Sequence, residues 1–214
     1  MNQINSAQGS NDYLKACSST RWAKNLFILV ILLSLLAHLG TYIIVGHTKL
    51  LEMPEDPDSA KIDTIKQIEK ARDIALPLAQ SLGLVAAVLL TMTMKFAVGI
   101  SLAGRLGGAG GFVSGFFWSL LLLAGFVPWQ NIVPNCMVFG CISNLQTMNI
   151  SLHSIGIGSE TDPDTNALVL HYIRFVAYPA TMLLVALVIQ FKFASGYSKL
   201  ATTTNDASRV NKRI

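Results

Sequence analysis

Four long apolar runs separated by polar segments dominate the hydrophobic pattern of the chain. They cover about 25–46, 74–96, 112–133 and 168–191. Each run holds roughly the 20 residues that an α-helix needs to cross a hydrocarbon core about 30 Å thick. The pattern therefore predicts four transmembrane helices.

The composition supports a membrane protein over a soluble one. Of 214 residues, 52% are hydrophobic and 13% are charged, against about 25% charged residues in a typical soluble domain. No charged residue occurs between Arg105 and Glu160. A chain this apolar does not fit a disordered protein either. We expect an all-α integral membrane protein, a four-transmembrane-helix bundle with a small extracytoplasmic cap.

The distribution of charge predicts the domain organisation and the orientation. We expect a cytoplasmic tail over 1–21, a membrane domain over 22–199 and a second cytoplasmic tail over 200–214. The termini and the link between spans two and three carry ten Lys and Arg and two acidic residues, whereas the other two loops carry six and ten. By the positive-inside rule, we expect both termini to be cytoplasmic. We expect the cell membrane as the location of this multi-pass protein.

The two predicted outer loops differ in character. Ser59 is a candidate N-cap for an amphipathic helix through Arg72, which either lies on the bilayer or docks a partner. The segment 134–167 is nearly uncharged, and polar and apolar residues alternate around Met148. This alternation predicts two short strands, 137–143 and 147–157, that form a hairpin.

Three cysteines are too few for a disulfide scaffold. Cys136 and Cys141 lie in the predicted outer loop, where an oxidising exterior favours a disulfide between them. The alternative is two reduced cysteines packed among apolar neighbours. Cys17 lies in the predicted cytoplasmic tail and is expected to be a free thiol.

Small residues recur every fourth position across the link between spans two and three. The ladder consists of Gly99, Ala103, Gly107, Gly111 and Gly115. Small residues at this spacing let membrane helices pack backbone to backbone. One interpretation is a glycine-rich turn near 107–111. The other is close packing, within the protein or between protomers, through Gly107, Gly111 and Gly115.

The predicted spans hold no ionisable residue that suggests catalysis or proton transfer. Lys95 and Arg174 lie near opposite ends of their spans, which argues against a proton-coupled pump. CxxC, CxxCH and HExxH patterns are absent from the sequence. We therefore predict no catalytic residue and no bound metal.

The four histidines raise the alternative of a haem held between spans one and four. At 1.5 Å per residue, His38 lies about 4 Å and His171 about 13 Å outward from the centres of their spans. Two ligands of one iron need similar heights, so this pair fits poorly. His47 matches the height of His171 better, but both residues would then lie at the interface between the bilayer and water. The sequence thus predicts no resident cofactor.

The function that fits these features best is a non-catalytic scaffold, assembly factor or accessory subunit of a membrane complex. The alternatives are an oligomeric conduit for ions or small solutes and a haem-binding electron carrier. Expected partners are the lipid bilayer and either another membrane protein or a second copy of the chain. Nucleic acid is not expected, because the basic residues lie at the ends of apolar runs and not along one helix face.

Overall fold

The computed structural model describes residues 2–47, 59–104, 108–132 and 165–211. Within these ranges the fold is helical and contains no strand. The helices are α1 (Asn2–His47), α2 (Ser59–Ala103), α3 (Ala109–Phe126), α4 (Trp129–Ile132), α5 (Thr165–Tyr172) and α6 (Tyr178–Asn211). A π-helical segment, Ile173–Ala177, joins α5 to α6.

Four helical segments are long and apolar enough to cross a membrane, judged by length and composition. They are Lys15–Ile43, Ile74–Ala103, Ala109–Phe126 and Leu168–Leu200. The all-α class and the number of candidate spans predicted from the sequence are therefore confirmed. The architecture is compatible with a multi-pass helical bundle.

Several sequence-based predictions concern residues outside the described ranges. These are the hairpin strands 137–143 and 147–157, the Cys136 and Cys141 pair, and Gly107. The hairpin cap and the disulfide therefore stay predictions.

Helix α2 is longer than its candidate membrane span, Ile74–Ala103. It contains 45 residues, or about 68 Å at 1.5 Å per residue, and its predicted lead-in Ser59–Arg72 joins the span without a break. Pro77 consequently lies inside α2 and not in its first turn. One turn after the proline, the hydroxyl of Ser81 donates to the Pro77 carbonyl oxygen at 2.9 Å.

The fourth candidate span changes its helical form just before Pro179. The backbone N–H of Tyr178 donates to the Ile173 carbonyl oxygen, five residues earlier, as in a π-helix. Proline has no N–H and crowds the carbonyl four residues before it, which here is that of Phe175. The disturbance expected at Pro179 thus takes the form of a widened turn on its N-terminal side.

The chain turns between the end of α2 at Ala103 and the start of α3 at Ala109. Gly108 has a φ of 90°, a conformation that L side chains rarely adopt. Helix α3 begins at Ala109, so the part of the 107–111 segment from Ala109 onward is helix and not turn.

The described helices belong to two compact units. The terminal unit comprises 1–30, 85–124 and 184–214, and the loop unit comprises 31–84 and 125–183. Large apolar side chains fill the core of each. Fully buried examples are Leu90, Met94, Phe112, Leu122, Ile189 and Phe193 in the terminal unit, and Ile31, Leu35 and Phe175 in the loop unit.

Candidate functional site

A close backbone approach in the terminal unit joins α3 to α6. A Cβ atom added to Gly111 would lie 2.8 Å from both the Cα and the N of Gly196, and 2.9 Å from the Lys192 carbonyl oxygen. A Cβ on Gly108 would collide with the Gly196 carbonyl oxygen. Glycine is therefore needed at these positions because the facing atoms are main chain and cannot move aside.

Gly115 is buried one helical turn further along the same face of α3. A Cβ there would lie 2.6 Å from Met94 Cε on α2 and 3.8 Å from Lys192 Cβ on α6. The two ladder glycines therefore face different neighbours. Gly111 approaches α6, whereas Gly115 lies where α2 and α6 both approach α3.

Other glycines of the terminal unit face open space. A Cβ atom on Gly99 or Gly110 would meet no atom within 4 Å. Gly99 lines a groove of about 450 Å³ on α2, and Gly110 lines one of about 510 Å³ on α3. We call them the α2 groove (Met92, Lys95, Phe96, Gly99, Ile100, Ala103) and the α3 groove (Gly110, Val113, Ser114, Phe117, Trp118, Leu121).

A buried hydroxyl links α2 to α3 within the terminal unit. Thr91 Oγ1 lies 2.8 Å from the Ala87 carbonyl oxygen of its own helix and 3.2 Å from the Ser119 carbonyl oxygen of α3. Ser119 Oγ donates to the Phe116 carbonyl oxygen at 2.7 Å. These bonds satisfy the buried hydroxyls locally, which suits a structural role in helix packing.

Lys24 is the most unusual side chain of the terminal unit, because it is charged and only 1% exposed. Its Nζ donates to Gln190 Oε1 on α6 and lies 4.7 Å from the centre of the Phe193 ring. Gln190 Nε2 in turn lies 3.3 Å from Asn25 Oδ1. A buried ammonium is thus held by a neutral amide and an aromatic face, the second of these a cation–π contact.

Arg21 continues the same contact between α1 and α6. Its guanidinium carbon lies 5.1 Å from the centre of the Tyr197 ring. The rings of Tyr197 and Phe193 are nearly parallel, and Phe193 meets Phe112 of α3 edge-on with 5.1 Å between ring centres. We call Arg21, Lys24, Asn25 and Gln190 the α1–α6 polar cluster.

The loop unit contains a second cluster, formed by aromatic rings and His171. Tyr42 on α1 stacks on Phe175 with ring centres 6.1 Å apart and lies 5.6 Å from the His171 ring. His171 is 3% exposed, and His38 is 1% exposed. Both ring nitrogens of His38 are buried without a hydrogen-bond partner among the described residues.

The described part of the chain offers little for metal or nucleophilic chemistry. It contains no group of three or more His, Cys, Asp or Glu side chains that could hold a metal ion. Cys17 is a free thiol, as expected, but it is buried on α1 and not exposed in a tail. The haem and conduit alternatives stay predictions.

Sequence reasoning placed Lys24 at the start of the first span and His171 towards the interface of the fourth, and it did not predict the burial of Lys24, His38 or His171. The signal was present in the spacing of α1. Lys24 precedes buried Ile28, Ile31 and Leu35 by four, seven and eleven residues, and His38 follows Leu35 by three. These intervals keep all five residues on one helix face.

Comparisons with protein-family models, with curated proteins and with solved structures return no match. The chain is thus defined by its class, a helical protein with four candidate membrane spans. Its own residues are the basis for a functional proposal.

Proposed function

We propose that this chain is a non-catalytic subunit of a membrane complex in the cell membrane, with both termini in the cytoplasm. The excess of basic residues in the termini and in the link between spans two and three supports this orientation. The observation that supports this function is that the α2 and α3 grooves each contain a glycine with empty space at its Cβ position.

Membrane helices associate through small residues, since lipid tails are as apolar as leucine and no water-driven force brings helices together. Gly111, Gly115 and Gly196 already serve this purpose within the chain. Gly99 and Gly110 have the same residue type but no neighbour within 4 Å of an added Cβ. Such open positions suit contact with a helix from another chain.

The occupant that we propose for the α2 groove is a transmembrane helix of a different subunit. Lys95 lies one turn from Gly99 and lines the same groove. A second copy of this chain, docked symmetrically through Gly99, would bring two Lys95 charges close together, which is unfavourable. A helix that carries a carboxylate or another acceptor near Lys95 avoids that repulsion.

A photo-crosslinking residue in place of Phe96, activated in native membranes, tests this function. We expect one adduct, larger than the chain by the mass of a distinct integral membrane protein. Gly99→Leu should abolish it, because the new side chain fills the groove. Gly40→Leu is the matched control, since Gly40 on α1 is equally open.

Two outcomes would overturn the proposal. An adduct of twice the mass of the chain would indicate self-association through this groove. Crosslinking to lipid alone, unchanged by Gly99→Leu, would mean that the groove only faces the bilayer.

A further inference from the structure

The α1–α6 polar cluster brings two cations together without an acidic partner. Arg21 and Lys24 are three residues apart on α1, where the positive charge of Arg21 makes a charged Lys24 less favourable. Like charges at this spacing repel each other. The ammonium of Lys24 is also withdrawn from solvent, and a buried charge is costly unless an opposite charge or several hydrogen bonds compensate it.

No carboxylate compensates these charges among the side chains that the structure describes in the terminal unit. Over 15–30, 85–104, 108–124 and 184–200 the sequence contains six Lys and Arg and neither Asp nor Glu. The nearest acidic residue on α1 in this unit is Asp12, nine residues before Arg21, or about 13 Å along the helix axis. The cluster therefore carries a net positive charge that an external anion could balance.

The hydrogen bonds within the cluster occupy its side-chain oxygen acceptors but not all of its N–H donors. The Gln190 side-chain oxygen accepts from Lys24, and the Asn25 side-chain oxygen accepts from Gln190. The amide N–H groups of Asn25, whose side chain is exposed, remain available to an external acceptor. The guanidinium of Arg21 lies over the Tyr197 ring and the side chain is exposed, so its N–H groups are accessible to a planar or tetrahedral anion.

The position of the cluster indicates where that anion comes from. Trp22 lies beside Arg21 and is 72% exposed, and exposed tryptophans at the ends of membrane helices lie at the level of the lipid headgroups. Long basic side chains near helix ends reach the same level. The anion that is abundant at this depth is the phosphate of a phospholipid.

We infer that the α1–α6 polar cluster is a binding site for the phosphate of an anionic phospholipid. Arg21 and Asn25, whose side chains are exposed, donate to the phosphate, and the buried charge of Lys24 attracts it. A zwitterionic lipid has the same phosphate but also an ammonium group, which the two cations repel. This inference adds to the proposed subunit function and does not depend on the α2 groove.

Native mass spectrometry of the detergent-solubilised chain tests the inference, with phosphatidylglycerol, phosphatidylcholine and inorganic phosphate as probes. We expect phosphatidylglycerol to be retained in preference to phosphatidylcholine. Inorganic phosphate should not displace it, because the acyl chains also contribute to binding. Equal retention of the two lipids would overturn the inference. Displacement by inorganic phosphate would show that the cluster binds free phosphate and would contradict the assignment of a phospholipid.

Arg21→Gln should lower the retention of phosphatidylglycerol about tenfold, the effect of losing one charge-assisted hydrogen bond. The matched control is Lys95→Gln, which removes the same charge from α2 in the same unit. Equal losses in the two variants would show that diffuse charge, and not this cluster, retains the lipid.

Gln190→Glu provides a variant that does not require removing buried Lys24. The new carboxylate gives Lys24 an internal counter-ion and repels the phosphate, so lipid preference should fall while the melting temperature is kept or rises. Undiminished retention of phosphatidylglycerol in this variant would contradict the inference. Since all measurements are made in detergent, their result is independent of the orientation and of the crosslinking experiment.

Discussion

The backbone of Gly111 lies so close to Gly196 that a Cβ on Gly111 would come within 2.8 Å of two main-chain atoms of Gly196. Contact of this kind needs glycine on both helices, since a side chain on either would separate them. The Cβ position of Gly196 is itself 3.1 Å from the Gly108 carbonyl oxygen and 3.3 Å from the Phe112 ring. The contact between α3 and α6 is thus sterically restricted from both helices.

Gly111→Ala should destabilise the protein by about 1–3 kcal/mol, the usual cost of overpacking a well-packed core. The measurement is the melting temperature in mild detergent. Gly110→Ala is the control, because its Cβ enters open space and alanine favours a helix. Equal melting temperatures of the two variants would mean that α3 and α6 separate easily at this contact.

Replacements of Gly115 should show a graded response, because its nearest neighbour is the end of the Met94 side chain. Methionine is flexible, so Gly115→Ala should cost less than Gly111→Ala. Gly115→Leu is too large for that adjustment and should lower the melting temperature strongly. Phe117→Leu is expected to be mild, since Phe117 is 64% exposed. If Gly115→Leu and Phe117→Leu behave alike, Gly115 does not lie at a close helix contact.

The cysteines should differ in their reaction with a maleimide. Cys17 is free but buried, so it should label slowly in the folded protein and quickly after denaturation. Cys136 and Cys141 should label only after reduction if they form the predicted disulfide. Peptide mass spectrometry identifies each labelled site. Rapid labelling of Cys17 in the native protein would contradict its burial on α1, and labelling of the other two without reductant would exclude the disulfide.

Reporter fusions test the proposed orientation. Because α6 continues to Asn211, the reporter belongs after Ile214, where it does not interrupt the helix. A second reporter between Asp56 and Lys61 probes the opposite side. We expect cytoplasmic and exterior signals respectively. Signals from the same side would contradict an even number of spans, and reversed signals would contradict the positive-inside assignment.

His38→Leu should leave the stability unchanged or raise it. Both ring nitrogens of His38 are buried without a described partner, and an unsatisfied buried polar group costs about 1–3 kcal/mol. His38→Asn keeps a polar group there and should be less stable than His38→Leu. A marked loss of stability in His38→Leu, together with a Soret band in the purified protein, would instead support the haem alternative.

The length of the hydrophobic runs was enough to predict the class of this protein, a helical protein with four candidate membrane spans. A run of about 20 apolar residues can satisfy its backbone groups in lipid only as a helix, so the four spans could be predicted without knowledge of their neighbours. The end of α2 near the glycine ladder was predictable for a similar reason. One uninterrupted helix from Ile74 to Ala124 would be about 76 Å long, more than twice the hydrocarbon thickness.

Only the tertiary structure decided which neighbour each residue meets. The four-residue spacing marked Gly111 and Gly115 as packing residues but could not show that Gly111 faces α6 or that Gly115 meets Met94. By hydropathy, Lys24 only borders the first apolar run, yet Gln190 and Phe193, more than 160 positions away, enclose it. Spacing along one helix determines a face, whereas burial depends on which other helix covers that face.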